Sequence, residues 1–204
     1  MCKVKAEVIA FITTICLVVS LFASIVITFA IPRPIKSMSF AVTSTKFMKN
    51  EIGLVNEAYN MIDPYEAEQL AMLVQLESGG IPNRDEQAAV VWCVLNRVDD
   101  ETGRFPDTIT EVLLQPGQFY SKPLSIQIDQ ESLELVYDIL FRWYMASVSE
   151  GHPDRSEVTL GRTIPHDYLF YYGDGEHNYF RREFLDYSDQ WDWSYPEVYG
   201  VKED

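Results

Sequence analysis

The sequence predicts an α-rich α+β domain behind a long apolar segment, and three observations carry that expectation. Residues 63–98 hold two helical patterns joined by the break Gly79-Gly80-Ile81-Pro82. Residues 129–149 hold a further apolar stripe at helical spacing. Two short stretches dense in Tyr and Phe, 167–173 and 178–184, flank the turn sequence GDGEH and read as a small β-hairpin.

The chain opens with Lys3, Lys5 and Glu7. Residues 8–31 then carry no charge at all, a run of 24 residues. A helix of about 20 apolar residues crosses the hydrocarbon of a bilayer, so 1–31 is expected to be a transmembrane anchor. The alternative is a signal segment cleaved near Ala30, although the apolar core of such a signal is shorter, about 7–15 residues. Lys and Arg occur on both sides of the span, so charge does not orient it. Pro32 and Pro34 open a stalk, 32–62, which ends in a short helix over 50–61 with Ile52, Val55, Tyr59 and Ile62 on one face. Residues 63–204 form the single globular domain.

In that domain Asp63 is placed to cap a helix, with Pro64 at its first position and Glu66 three residues after the cap. Leu70, Leu73, Val74 and Glu77 share one face. Gly79 and Gly80 end the helix, and Pro82 keeps it from resuming. A second helix starts near Asn83 or Asp85, with Ala88, Val91, Trp92, Leu95 and Val98 as its stripe. Thr108 with Glu111 caps a short helix over 108–115, and Pro116-Gly117 turns the chain into Gln118, Phe119 and Tyr120. The helix over 129–149 carries Leu133, Val136, Tyr137, Leu140, Tyr144 and Val148. The tail, 186–204, is acidic and aromatic.

Charge divides the chain. Residues 1–50 hold six Lys or Arg and one acid, whereas the remainder holds 10 Lys or Arg and 30 acids, within a net charge of −15. An acidic domain gains nothing from counterion release, so nucleic acid is excluded as a partner. Cys93 is the one cysteine of the globular part. It sits among Val91, Trp92, Val94 and Leu95, which suits a buried hydrophobe rather than a nucleophile. His152, His166 and His177 lack zinc-ligand spacing, so neither a metal nor another cofactor is expected.

Glu77 is the candidate catalytic residue. A carboxylate on an apolar face is partly desolvated, which favours the protonated form and suits a general acid near neutral pH. The bland reading is a last-turn glutamate facing water, although a carboxylate there opposes the helix dipole. The adjoining glycines let a bulky ligand approach.

The run LESGG…DEQAAVVWCVLNRV, followed by RFPDTITEVLLQPGQFYS and, later, GEHNYF, resembles the SleB/CwlJ-type cell wall hydrolases over 64–184. The resemblance implies a lysozyme-like fold, peptidoglycan glycan strands as substrate and Glu77 as the acid. It also implies substrate contacts from Gly79, Gly80, Gln118, Phe119, Tyr120, His177 and Tyr179. Aromatics near a turn equally suit a core, and a histidine there equally suits turn packing. Relatives often carry a second glutamate where this chain has Ile81. With one clear carboxylate, the implied chemistry is lytic transglycosylation of the β-1,4 bond between N-acetylmuramic acid and N-acetylglucosamine. A muramidase-type hydrolase would need a second acid, for which Asp85, Glu86, Asp174 and Glu176 are not separable by sequence. An amidase and a non-catalytic wall-binding protein are the other readings. A wall substrate places the domain outside the cell, tethered to the membrane through 8–31 or secreted.

Overall fold

The computed structural model describes residues 45–119, 126–148 and 157–201. The proposed membrane segment 8–31, Tyr120 and His152 lie outside these. Among the described residues no helix is long and apolar enough to cross a membrane. The architecture is α+β and helix-rich: α1 (Thr45–Met61), α2 (Pro64–Ser78), α3 (Arg84–Val98), α4 (Ile109–Leu113), α5 (Gln130–Val148), β1 (Phe170–Gly173) and β2 (Asn178–Arg181).

The helix starts follow local chemistry. The Asp63 side chain accepts from the Tyr65 N–H at 2.8 Å, Asn83 accepts from Asp85 and Glu86, Thr108 accepts from Glu111, and Asp129 accepts from Ser132. Each satisfies a donor that the first helical turn leaves free. Glu66 does not close the capping box suggested by its spacing. Its Oε1 instead accepts from the Thr110 N–H and hydroxyl, which ties α2 to the start of α4.

α3 is the central helix. Every residue from Asp85 to Arg97 is buried, so the single stripe expected from sequence understates it. α2, α4 and α5 pack against it, and the segment carrying β1 covers much of what remains. The motif Asn96-Arg97 makes that last contact specific. Asn96 Nδ2 donates to the carbonyls of Pro165 and Tyr168, both at 2.9 Å, and Arg97 Nε donates to that of Leu169 at 2.7 Å. These bonds satisfy backbone groups ahead of β1 that no strand partner reaches. Trp92 is fully buried, with the Arg162 guanidinium 4.6 Å above its ring.

α5 buries Ser132, Leu135, Val136, Ile139 and Leu140, a face rotated from the expected one. α1 starts at Thr45, inside the compact unit of residues 45–204. It packs on α5, where Tyr59 stacks on Phe141 at 4.5 Å. The last part of the stalk sequence is thus docked on the domain.

β1 and β2 pair antiparallel, with Tyr171 opposite Phe180 and Tyr172 opposite Tyr179. Paired residues share a face and alternate along the strand. Tyr171 and Phe180 therefore face one way, Tyr172 and Tyr179 the other. The tail folds back across the domain: the Trp191 N–H reaches the Phe180 carbonyl, Trp191 Nε1 reaches that of Thr163, and the Arg84 N–H reaches that of Gly200 at 2.9 Å.

Candidate active site

Glu77 lies in the last turn of α2 and is half-buried, on the face that sends Leu70, Leu73 and Val74 into the core. The turn behind it is braced at several points. Ser78 Oγ donates to the Val74 carbonyl, and the buried Gln87 of α3 donates from Nε2 to the carbonyls of Ser78 and Ile81, at 3.3 and 2.7 Å. Gly79 is needed for close approach, because a Cβ there would stand 2.4 Å from the Gln75 carbonyl oxygen. A Cβ on Gly80 would meet nothing within 4 Å, so that position is open. Ile81 is a core residue.

The hairpin supplies the facing wall. The Tyr171 hydroxyl lies close enough to the Glu77 carboxylate to bear on its protonation. Burial raises the Glu77 pKa above the usual carboxylate value, and the nearby Tyr171 hydroxyl opposes that rise without cancelling it. Burial pushes the Tyr171 hydroxyl well above an ordinary phenol, and the negative Glu77 adds to the effect. Tyr171 therefore stays protonated, a donor available to Glu77. Asn178, at the start of β2, donates from Nδ2 to the backbone carbonyl of Glu77 at 3.0 Å.

Below this pair lies an aromatic floor around Arg97, whose guanidinium is 4.6 Å from the Phe119 ring, 4.9 Å from Phe105 and 5.2 Å from Phe170. Phe119 tilts against Tyr171 at 6.4 Å, so it reaches the site through the tyrosine. Burial pushes the Cys93 thiol up to about 11, which fits the inert hydrophobe expected from its neighbours.

The four carboxylates considered as a second acid are held differently. Glu86 is 3% exposed and accepts from the Asn178 N–H and from His177 Nδ1, the latter at 3.2 Å. It fastens the hairpin turn to α3. Asp85 accepts from the N–H groups of Val198 and Tyr199 and fastens the tail. Asp174 accepts from the N–H groups of Glu176 and His177 and from the Tyr179 hydroxyl. These bonds hold its carboxyl at about 2. Glu176 is exposed on the same turn.

The remaining expected contacts fall in several places. Gln118 is exposed. His177 is exposed, and its pKa is raised first by the hydrogen bond to Glu86. Tyr179 stacks on Tyr172 at 4.9 Å, on the face of the hairpin away from Tyr171. Among the described residues no three His, Cys, Asp or Glu side chains gather to hold a metal. Tyr171 and Asn178 were not legible as site residues. Both sit in or beside a run of aromatics, and only the register of the hairpin shows which of them faces α2.

No curated protein and no solved structure matches the chain. Residues 83–151, about a third of it, match the family model described as Cell Wall Hydrolase. The matched segment covers α3, α4 and α5; Glu77 and the hairpin lie outside it. Through that segment the chain carries the signature of the cell wall hydrolases, the family its motifs resemble.

Proposed function

We propose that this protein cleaves peptidoglycan at the β-1,4 bond between N-acetylmuramic acid and N-acetylglucosamine, as a lytic transglycosylase on a lysozyme-like domain. The observation that carries the reading is Glu77: a half-buried carboxyl whose pKa burial raises, with the Tyr171 hydroxyl facing it. The protonated Glu77 gives its proton to the glycosidic oxygen as the bond from C1 breaks. The Tyr171 hydroxyl then stabilises the carboxylate left behind. The muramic 6-hydroxyl attacks C1 and returns its proton to Glu77, closing a 1,6-anhydro ring. An internal nucleophile already tethered to the reacting ring gains from proximity and needs no second acid.

The bonding of Asp85, Glu86 and Asp174 supports this choice over hydrolysis, because each is engaged in holding backbone; of the four candidates only the exposed Glu176 is not. A hydrolase would need a free carboxylate within roughly 5–10 Å of the acid. Phe119, Tyr120, Gln118, Gly79 and Gly80 are proposed to flank the glycan near Glu77, and His177 and Tyr179 to contact it farther along the hairpin. The catalytic domain is proposed to work outside the cell, tethered through residues 8–31.

Mass spectrometry of muropeptides released from purified walls by the full chain tests the reading. Anhydro-muramic ends, one water lighter than reducing ends, are the expected products. Reducing ends would reject transglycosylation, and free peptides with intact glycan would reject glycosidic cleavage.

A further inference from the structure

On another side of the α3 N-terminus a cavity of about 180 Å³ opens between Asn83 and Asp85, Thr163, and the tail residues Trp193, Tyr195 and Glu197. None of these residues takes part in the Glu77 site. Phe180 touches both, with Trp193 at 5.9 Å and Tyr171 at 5.3 Å.

The lining has an excess of acceptors. Asp85 is 6% exposed, and the nearby charge of Glu197 bears on it. Among the described residues neither carboxylate forms an ion pair. Thr163 is 3% exposed, and its Oγ1 has no hydrogen-bond partner among the described residues. A buried hydroxyl without a partner carries a desolvation cost that a ligand in the cavity would relieve. Trp193 is held in the left-handed region at φ 58°. Tyr195 donates its hydroxyl to Glu157, which leaves its ring as the surface it offers.

Two carboxylates, a hydroxyl acceptor and two aromatic rings suit one kind of group. An ammonium is donor-only, is drawn to carboxylates, and is attracted to aromatic faces. Calcium takes about 6–8 oxygen ligands, more than two carboxylates and one hydroxyl supply. A polyanion is repelled. As for size, a cavity of about 150 Å³ admits a benzene ring, so a six-membered ring or an aminoalkyl chain fits.

We propose that this cavity binds a primary ammonium group on a small organic body, such as a hexosamine lacking its acetyl group or the free end of a diamino-acid side chain. The wall-cleavage reading supplies the reason for such amines to be nearby; the binding itself does not depend on it.

Calorimetry on the full chain in detergent, with three probes, tests the proposal: methyl glucosaminide, its N-acetylated form, and N-acetyl-lysine amide. At least one free amine should bind with a Kd of about 10 mM or tighter, and the acetylated sugar at least about tenfold more weakly, a difference of about 1.4 kcal/mol. The tighter amine identifies the source. Glu197→Gln should weaken amine binding about tenfold and leave lysis of fully acetylated walls unchanged. Thr163→Val should weaken it too, with no fall in thermal midpoint, because the hydroxyl removed has no partner to lose. Equal binding of the free and acetylated sugars, no amine binding at that concentration, or unaltered affinity in Glu197→Gln would each overturn the proposal. Absence of wall lysis in the wild type would count against the catalytic reading alone.

Discussion

Replacing Tyr171 by Phe removes one hydroxyl and keeps the ring that packs on Phe180 at 5.3 Å and Phe119 at 6.4 Å. Little fold stability should go with it, because the lost group serves Glu77. A hydrogen bond to a charged partner contributes about 1.5–3 kcal/mol. The Tyr171 hydroxyl is most valuable once Glu77 has given up its proton, so the loss falls on the transition state. At 1.36 kcal/mol per tenfold, wall lysis should drop about 10- to 150-fold. The pH profile supplies the sharper check. The Tyr171 hydroxyl favours the ionised form of Glu77 and so lowers its pKa; without it the pKa rises. Lysis needs Glu77 protonated at the start, so the alkaline limb of kcat/KM should move to higher pH in Tyr171→Phe. The assay is turbidity loss of wall suspensions across a pH series, paired with thermal melts. An unmoved or downward-shifted limb, with an unchanged melt, would refute the pairing of Tyr171 with the acid.

Glu77→Gln should cut lysis by about 10²–10⁴-fold, the share general acid catalysis supplies, while stability holds or rises. Burial raises the pKa of Glu77, so the folded state disfavours its ionised form, and the advantage of Gln should grow as pH climbs through that pKa; a lower melt at alkaline pH contradicts this. Glu86→Ala should cost about 1–3 kcal/mol in denaturant unfolding, because it strands the Asn178 N–H. Glu86→Gln, which keeps one acceptor, should retain most lysis, whereas its complete loss would mark Glu86 as the missing second acid. Gly79→Ala should lower the melting temperature more than Gly80→Ala, since only the former meets the Gln75 carbonyl; equal effects would contradict the close approach.

Local signals on this chain translate directly into local structure. Asp63, Asn83, Thr108 and Asp129 cap the helices they precede, because capping needs only a short polar side chain and the next turn of backbone. The turn GDGEH closes a hairpin for the same reason. Glu77 on an apolar face was equally legible, since helical spacing alone sets which residues share a side. What sequence could not supply was pairing across distance. Two helical faces specify that they are buried, not against what, and α3 shows the limit: its stripe reads as one-sided, yet neighbours cover it on every side. Glu86 and Asp85 were read as spare acids until the hairpin and the tail brought backbone N–H groups to them. Tyr171 became a partner of Glu77 only through strand register, because a shift of one residue would turn it to the opposite face. The residues thus determined which carboxyl sits at the edge of the core, and tertiary packing decided which hydroxyl meets it and which acids are already engaged.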